Sequence, residues 1–202
     1  MSDCDLSGAT RPQAPFGRRL AKIGARSEHG PYVVLTAHDL GGPLPLAGQF
    51  YMLSSAERWG GEEDGRPYLP RALSFARTSE GEDGVSLDFL FEAVGPGTRR
   101  LSRLRVGEEL TIAGPFGNGF AFDTTRAPVL VAGGIGLAPI VALDDEIRGL
   151  DGPQSEIFIG MRSAAHAEAV DVYGLRHELA TEDGSAGRQG FVTEPLAAHL
   201  AT

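Results

Sequence analysis

The sequence predicts a six-stranded antiparallel β-barrel followed by an α/β half, on three observations. Residues 18–113 hold six short segments of strand character, punctuated by glycine and proline turns. From Val129 onward, apolar runs alternate with helix-length segments, as in a parallel sheet. Between them lies a polar stretch, Ala121 to Ala127, with Pro128 behind it. The expected division is a polar tail over 1–17, a barrel over 18–121 and a partial α/β domain over 122–202.

The barrel segments follow in order. Arg18 to Ala25 and Tyr32 to Ala37 are separated by the turn-rich Ser27-Glu-His-Gly-Pro31, which reads as a hairpin connection. Gln49 to Leu53 is the third strand. The acidic, glycine-rich loop that follows runs to Pro70, with Trp59 and Tyr68 near its ends. Ala72 to Ala76 is the fourth strand, and Ser79 to Gly84 reads as the turn into the fifth. There Val85, Leu87, Phe89 and Phe91 alternate with Ser86, Asp88 and Glu92, the period of a strand with one buried face. Gly95-Pro-Gly-Thr98 is a turn whose threonine can cap a short helix bearing Leu101 and Leu104. Leu110 to Ala113 is the sixth strand. In the second half, a helix from Pro139 to about Leu150 precedes a strand, Ile157 to Met161, and a helix around Ala167 to Leu175. A weak strand near Glu178 and a helix from Thr193 to Leu200 complete the pattern.

Composition narrows the classes of function. Eighteen basic against 27 acidic residues give a net charge of −9, which repels nucleic acid and anionic membrane surfaces. The longest apolar run is broken by Gly133, Gly134, Gly136 and Pro139, so no transmembrane helix is expected, and the N-terminus has no apolar signal core. Cys4 is the single cysteine, which leaves neither a disulfide framework nor a cysteine set for zinc or an iron–sulfur cluster. The five histidines form no i, i+4 pair, so no metal site is expected. These features fit a reducing, cytoplasmic setting.

The chemistry centres on Val129-Leu-Val-Ala-Gly-Gly-Ile-Gly-Leu-Ala-Pro139. A short buried strand runs into Gly133, Gly134 and Gly136, and Pro139 then opens a helix. Free N–H groups and the positive end of the helix dipole favour an anion there, by roughly 0.3–1 kcal/mol at an exposed site. The spacing Gly-x-Gly-x-x-Pro departs at its third position from the usual dinucleotide fingerprint, and an ordinary strand–helix turn would share it. This half is therefore Rossmann-like in expectation.

Three motifs, in order and mutual spacing, together resemble the ferredoxin reductase superfamily. They are Pro70-Arg-Ala-Leu-Ser-Phe75; Val94-Gly-Pro-Gly-Thr98 with Gly114-Pro-Phe-Gly-Asn-Gly-Phe120; and Val131 to Pro139. Within the superfamily, the likeness is to electron-transfer subunits of NAD-linked, two-subunit dihydroorotate dehydrogenases, which serve pyrimidine biosynthesis. The resemblance implies an oxidoreductase component with FAD in the barrel and NAD(P)H at the glycine turn. A hydride would move between nicotinamide and flavin, and electrons to or from a partner redox protein. A dihydroorotate dehydrogenase catalytic subunit is the candidate partner.

The residues make chemical sense in those roles. Arg71 can clamp phosphate oxygens with its fork, and Ser74 can present a hydroxyl to a flavin ring edge as the catalytic side chain. In a regular strand the two face opposite ways, so reaching both tail and ring requires a twist or bend. Ala72 and Leu73 complete the segment. Leu73 departs from the tyrosine that relatives outside this subfamily often carry, leaving an apolar contact in place of a stacked ring. Gly97 and Thr98 at a helix start could hold a diphosphate, which FAD has and FMN lacks. Gly114 belongs to a segment that either shapes the cleft between the halves or is a tight turn. Arg162, just after the second parallel strand, favours the 2′-phosphate of NADP, whereas the resemblance implies NAD, which is the expectation adopted.

Two departures shape the remaining expectations. The dihydroorotate dehydrogenase subunit carries a cysteine set for a [2Fe–2S] cluster, and this chain has only Cys4, so no such cluster is expected in it. The sequence also ends at Thr202, short of the last strand of its relatives. The expectation is a sheet of about three strands with the Val129 strand unpaired on one side, an edge open to self-association or a partner. Two rival readings are a non-catalytic module that holds flavin or docks on a partner, and a stand-alone flavin or ferredoxin reductase.

Overall fold

A computed structural model describes residues 17–59 and 69–201. The expectations for the 1–17 tail, for Cys4 and for Tyr68 fall wholly or mainly outside these residues.

The first half is a seven-stranded curled sheet. Its strands are β1 (Arg19–His29), β2 (Tyr32–Leu40), β3 (Phe50–Ser55), β4 (Arg71–Ser74), β5 (Arg77–Gly81), β6 (Gly84–Glu92) and β7 (Glu109–Phe116). They lie in the order β4-β3-β7-β1-β2-β6-β5, and every pairing is antiparallel. The end strands β4 and β5 are joined through Phe75 and Ala76 alone. Both are buried, and the Ala76 N–H donates to the Asp88 carbonyl of β6 at 2.7 Å, which draws the edges of the sheet together into a half-barrel.

The extra strand corrects the expected count of six. β5, Arg-Thr-Ser-Glu-Gly, has no apolar alternation because its side chains lie half-buried or exposed at the sheet's edge. Backbone pairing with β6 makes it a strand all the same. The alternation in β6 holds: Val85, Leu87, Phe89 and Phe91 are buried while Ser86, Asp88 and Glu92 are half-buried. Leu90 is buried as well, and so are Val33 and Val34 of β2. Both faces of the β2–β6 pair are thus covered at the end where the second half packs.

A helix, α1 (Pro96–Ser102), leads from β6 to β7. It starts at Pro96, three residues earlier than a Thr98 cap would give. Thr98 instead reaches back from inside the first turn, its hydroxyl accepting the Gly95 N–H at 3.0 Å.

The second half is a parallel sheet in the order β11-β10-β9-β8. Its elements are β8 (Val129–Gly133), a 3₁₀ turn (Gly134–Gly136), α2 (Leu137–Arg148), β9 (Glu156–Met161), α3 (Ala164–Asp171), β10 (His177–Thr181), β11 (Arg188–Gln189) and α4 (Thr193–Leu200). The two-residue β11 is a fourth strand beyond the three expected. β8 lies at the edge, paired only with β9 among the described residues, and it is buried on one face only: Val129, Val131 and Gly133 are exposed, where the apolar run suggests a wholly buried strand. No helix among the described residues is long and apolar enough to cross a membrane.

The halves share one continuous apolar core and a set of polar clamps. Arg77 of β5 forks onto Asp145 of α2, with Nε to Oδ2 at 2.7 Å and Nη2 to Oδ1 at 3.1 Å. It also donates to the Tyr173 carbonyl, and its guanidinium lies 5.4 Å from the centre of the Tyr173 ring. The Asp145 carboxylate holds the guanidinium pKa above its ordinary value against the opposing effect of partial burial. Nearby, the Ala47 N–H donates to Glu146 Oε2 at 3.1 Å. Gln49, almost fully buried, accepts the Leu46 N–H through Oε1 and donates through Nε2 to the Gly117 carbonyl, at 2.8 and 2.9 Å. The 43–49 loop is thereby stitched to the segment leaving the barrel.

Candidate functional site

Arg71, Ala72, Leu73 and Ser74 are the whole of β4, with Arg71 opposite Leu53 and Ser74 opposite Phe50 of β3. On this edge strand Leu73 packs against the core and Ala72 faces solvent. The Ser74 hydroxyl makes no hydrogen bond with any described residue. Arg71 extends to α1: a Cβ placed on Gly97 would fall 2.1 Å from Arg71 Nε. The structure thus brings Arg71 and Gly97 together, two residues far apart in sequence. Only a residue without a side chain allows a guanidinium that close to the helix's first turn. Thr98 lies beside them, but its hydroxyl is spent on Gly95, which leaves its backbone for a ligand. A free-ended helix turn with an arginine across it fits an anionic phosphate tail.

Gly114 is placed differently. It is buried in β7 with φ +139°, and a Cβ there would strike the Tyr51 ring at 2.7 Å. Its carbonyl accepts from Arg19, which in turn forks onto the fully buried Asp39. These are the contacts of a barrel-wall residue.

The glycine turn lies at the C-terminal end of the edge strand β8. Gly134 has φ +52°, a conformation glycine adopts without penalty. A Cβ on Gly133 or Gly136 would project into open space, so the backbone faces a cleft. The α-helix begins at Leu137, after the 3₁₀ turn, which puts Pro139 third in the helix rather than first. Its missing N–H costs nothing there, because the first-turn donors have no intrahelical acceptor.

That cleft, of about 370 Å³, is lined by Gly133, Gly134, Ile135, Arg162 and Glu182 among others. Arg162 therefore does join the glycine turn, as the position after the second parallel strand implies. Sequence reasoning missed the other walls. Tyr32 and Glu92 come from the barrel, His166 from α3, Glu182 from the loop after β10, and Phe191 and Val192 from the link between β11 and α4. The stretch from β10 to α4 carries Gly184, Gly187 and Gly190, all at positive φ, and this three-residue glycine spacing was a readable signal. Nothing in the sequence pointed to Tyr32. Its phenol pKa is raised by burial first and by Glu92 second, with Arg162 opposing.

A wider groove of about 980 Å³ at the C-terminal end of α1 contains none of the expected residues. Its arginines, such as Arg26, Arg103 and Arg105, face Glu28, Glu57, Glu108 and Glu109, so it offers little net charge to a phosphate. Among the described residues no group of three or more His, Cys, Asp or Glu side chains is placed to hold a metal ion.

The two cradles share one end of the barrel. β6 ends at Glu92 against the glycine turn, and α1 opens at Pro96 beside Arg71. Four residues span at most about 14 Å even when fully extended.

No family model matches the chain. It is 36% identical over 149 residues to the dihydroorotate dehydrogenase B (NAD(+)) electron transfer subunit of Clostridium acetobutylicum, over 73% of this chain and 55% of that protein. With the same subunit from Listeria monocytogenes it shares 34% over 168 residues, 80% of this chain and 61% of the other. In sequence the chain is thus similar to these electron transfer subunits, at 34–36% identity. Among solved structures, the ferredoxin reductase of carbazole 1,9a-dioxygenase has the same fold, with a TM-score of 0.77 and 23% identity over 94% of this chain and 59% of that one. The chain spans little more than half the length of these relatives.

Proposed function

We propose that this protein is a flavin-dependent electron-transfer component of the ferredoxin reductase type, moving a hydride between NAD(H) and FAD and exchanging electrons with a partner redox protein. The observation that carries the reading is the pair of anion cradles bordering one end of β6. Two nucleotides held there by their phosphates would share one end of the barrel, and hydride transfer requires that their reactive rings meet there.

In this reading, Arg71 and the backbone of Gly97 and Thr98 hold the flavin diphosphate, which favours FAD over FMN. Leu73 supplies an apolar contact and Ser74 a hydroxyl free to bond the ring edge. Gly133, Gly134 and Gly136 let the nicotinamide dinucleotide approach the backbone, and Arg162 meets its ribose. A bound flavin supplies the redox chemistry; the chain binds, orients and excludes water. The relatives' names support the catalytic subunit of dihydroorotate dehydrogenase B as the partner, and pyrimidine biosynthesis as the setting.

The test is an anaerobic titration of the FAD-loaded protein with NADH, following the flavin's visible absorption. Bleaching is the expected result. A flavin that binds yet stays oxidised would overturn the hydride step and leave a flavin-holding module.

A further inference from the structure

The barrel contributes a side chain to the dinucleotide cleft. Tyr32 is the first residue of β2, paired with Glu92 of β6. Only 3% of it is exposed, yet its hydroxyl makes no hydrogen bond with a described residue, and the residue lines the cleft at the glycine turn. A Cβ on Gly134 would come 3.6 Å from that hydroxyl, which puts the phenol oxygen next to the turn's backbone.

The phenol is held there from two sides. The hairpin tip before it is seated on α3 so closely that a Cβ on Gly30 would overlap the Ala165 carbonyl oxygen at 1.8 Å. The Tyr32 ring meets His166 edge-on, with centroids 5.9 Å apart and planes at 80°, and His166 Nδ1 is 2.9 Å from the Ser163 hydroxyl. The ring is almost fully buried while the hydroxyl, with no described residue as partner, opens on the cleft, where it can donate to a ligand held there. Its neighbours already supply donors to an anion: backbone N–H groups at the turn and the Arg162 guanidinium across the cleft.

We infer that Tyr32 is a ligand-binding residue of the dinucleotide site, its O–H donating to a phosphate oxygen of a pyrophosphate seated on Gly133–Gly136. The inference rests on the proposed nicotinamide-dinucleotide reading of that turn and adds to it a donor from the other half. Burial and Glu92 keep the phenol protonated at neutral pH, as a donor must be. A dinucleotide so held ties the barrel to the α/β half.

The experiment is calorimetric titration of the FAD-loaded protein and of Tyr32→Phe with NAD⁺, ADP-ribose and adenosine. The phenylalanine keeps the ring against His166 and removes only the hydroxyl, and flavin content and thermal midpoint check that the fold is intact. The expected result is about tenfold weaker binding of NAD⁺ and ADP-ribose, the size of one hydrogen bond to a charged acceptor, with adenosine unaffected. Equal affinities for NAD⁺ in the two proteins would overturn the inference and leave the site reading standing. An equal loss for adenosine would overturn the phosphate as the acceptor. A wild-type protein that binds FAD but neither NAD⁺ nor ADP-ribose would overturn the site reading itself, and the role of Tyr32 with it.

Discussion

Replacing Gly97 by alanine separates binding from folding at the flavin cradle, because the two respond with opposite sign. The new methyl would stand 2.1 Å from Arg71 Nε and 2.9 Å from Cζ and Nη2. Non-bonded heavy atoms settle near 3.5 Å, so the guanidinium must retreat by roughly 1.4 Å. The far end of an arginine moves at little cost to the fold. A phosphate hydrogen bond, however, fades beyond about 3.2 Å, so a retreat of that size forfeits it. The loss is about 1.5–3 kcal/mol, or roughly 10- to 150-fold in FAD affinity. Alanine meanwhile favours a helix over glycine by up to about 1 kcal/mol. Fluorescence titration of apoprotein with FAD, beside a thermal melt without FAD, reads both quantities. The expected outcome is weaker FAD binding with an equal or higher apoprotein midpoint. An unchanged FAD affinity would refute the cradle.

Other expectations follow from the same geometry. Ser74→Ala should retain FAD while slowing its reduction by NADH about a hundredfold in rapid-mixing experiments, the lower end of what a positioned proton donor contributes; an unchanged rate would remove Ser74 from the chemistry. Arg77→Leu breaks a clamp whose two side chains are each about a third exposed, so solvent screening limits the loss to about 1 kcal/mol and the fall in midpoint to roughly 2–4 °C. Asp183 titrates below the usual carboxylate range because the Ser185 hydroxyl and backbone N–H bond its ionised form. A depressed folded-state pKa stabilises above the unfolded value and is lost as pH falls through the folded one. NAD⁺ affinity should therefore be insensitive to this carboxylate near neutrality, and an NMR titration should show the Asp183 midpoint rising in Ser185→Ala.

The half-barrel and the parallel sheet were legible because burial writes its own period. β6 alternates apolar and polar residues, and β8 is an apolar run ending in glycines. β5 was hidden because an edge strand takes its order from backbone pairing, and Arg77 to Gly81 carry no apolar pattern. At the candidate site, Arg71, Gly97 and the glycine turn each stood out locally. Their juxtaposition did not, since α1 meets β4 only through folding. Tyr32 was silent for the same reason: its partner is a turn about a hundred residues away, and loop closure over any such distance leaves no local trace in sequence.

Gln49 gives the 43–49 loop an unusual dynamic character. Its side-chain amide accepts on one side and donates on the other, as a peptide group in a sheet does, and the Phe120 N–H adds a backbone bond to the Ala47 carbonyl. The Leu46, Ala47 and Phe120 amide protons should therefore exchange with solvent slowly, like those of a strand, although no strand runs there. Because the Ala47 proton is held by Glu146 of α2, its exchange rate is a native clock for how often the two halves part.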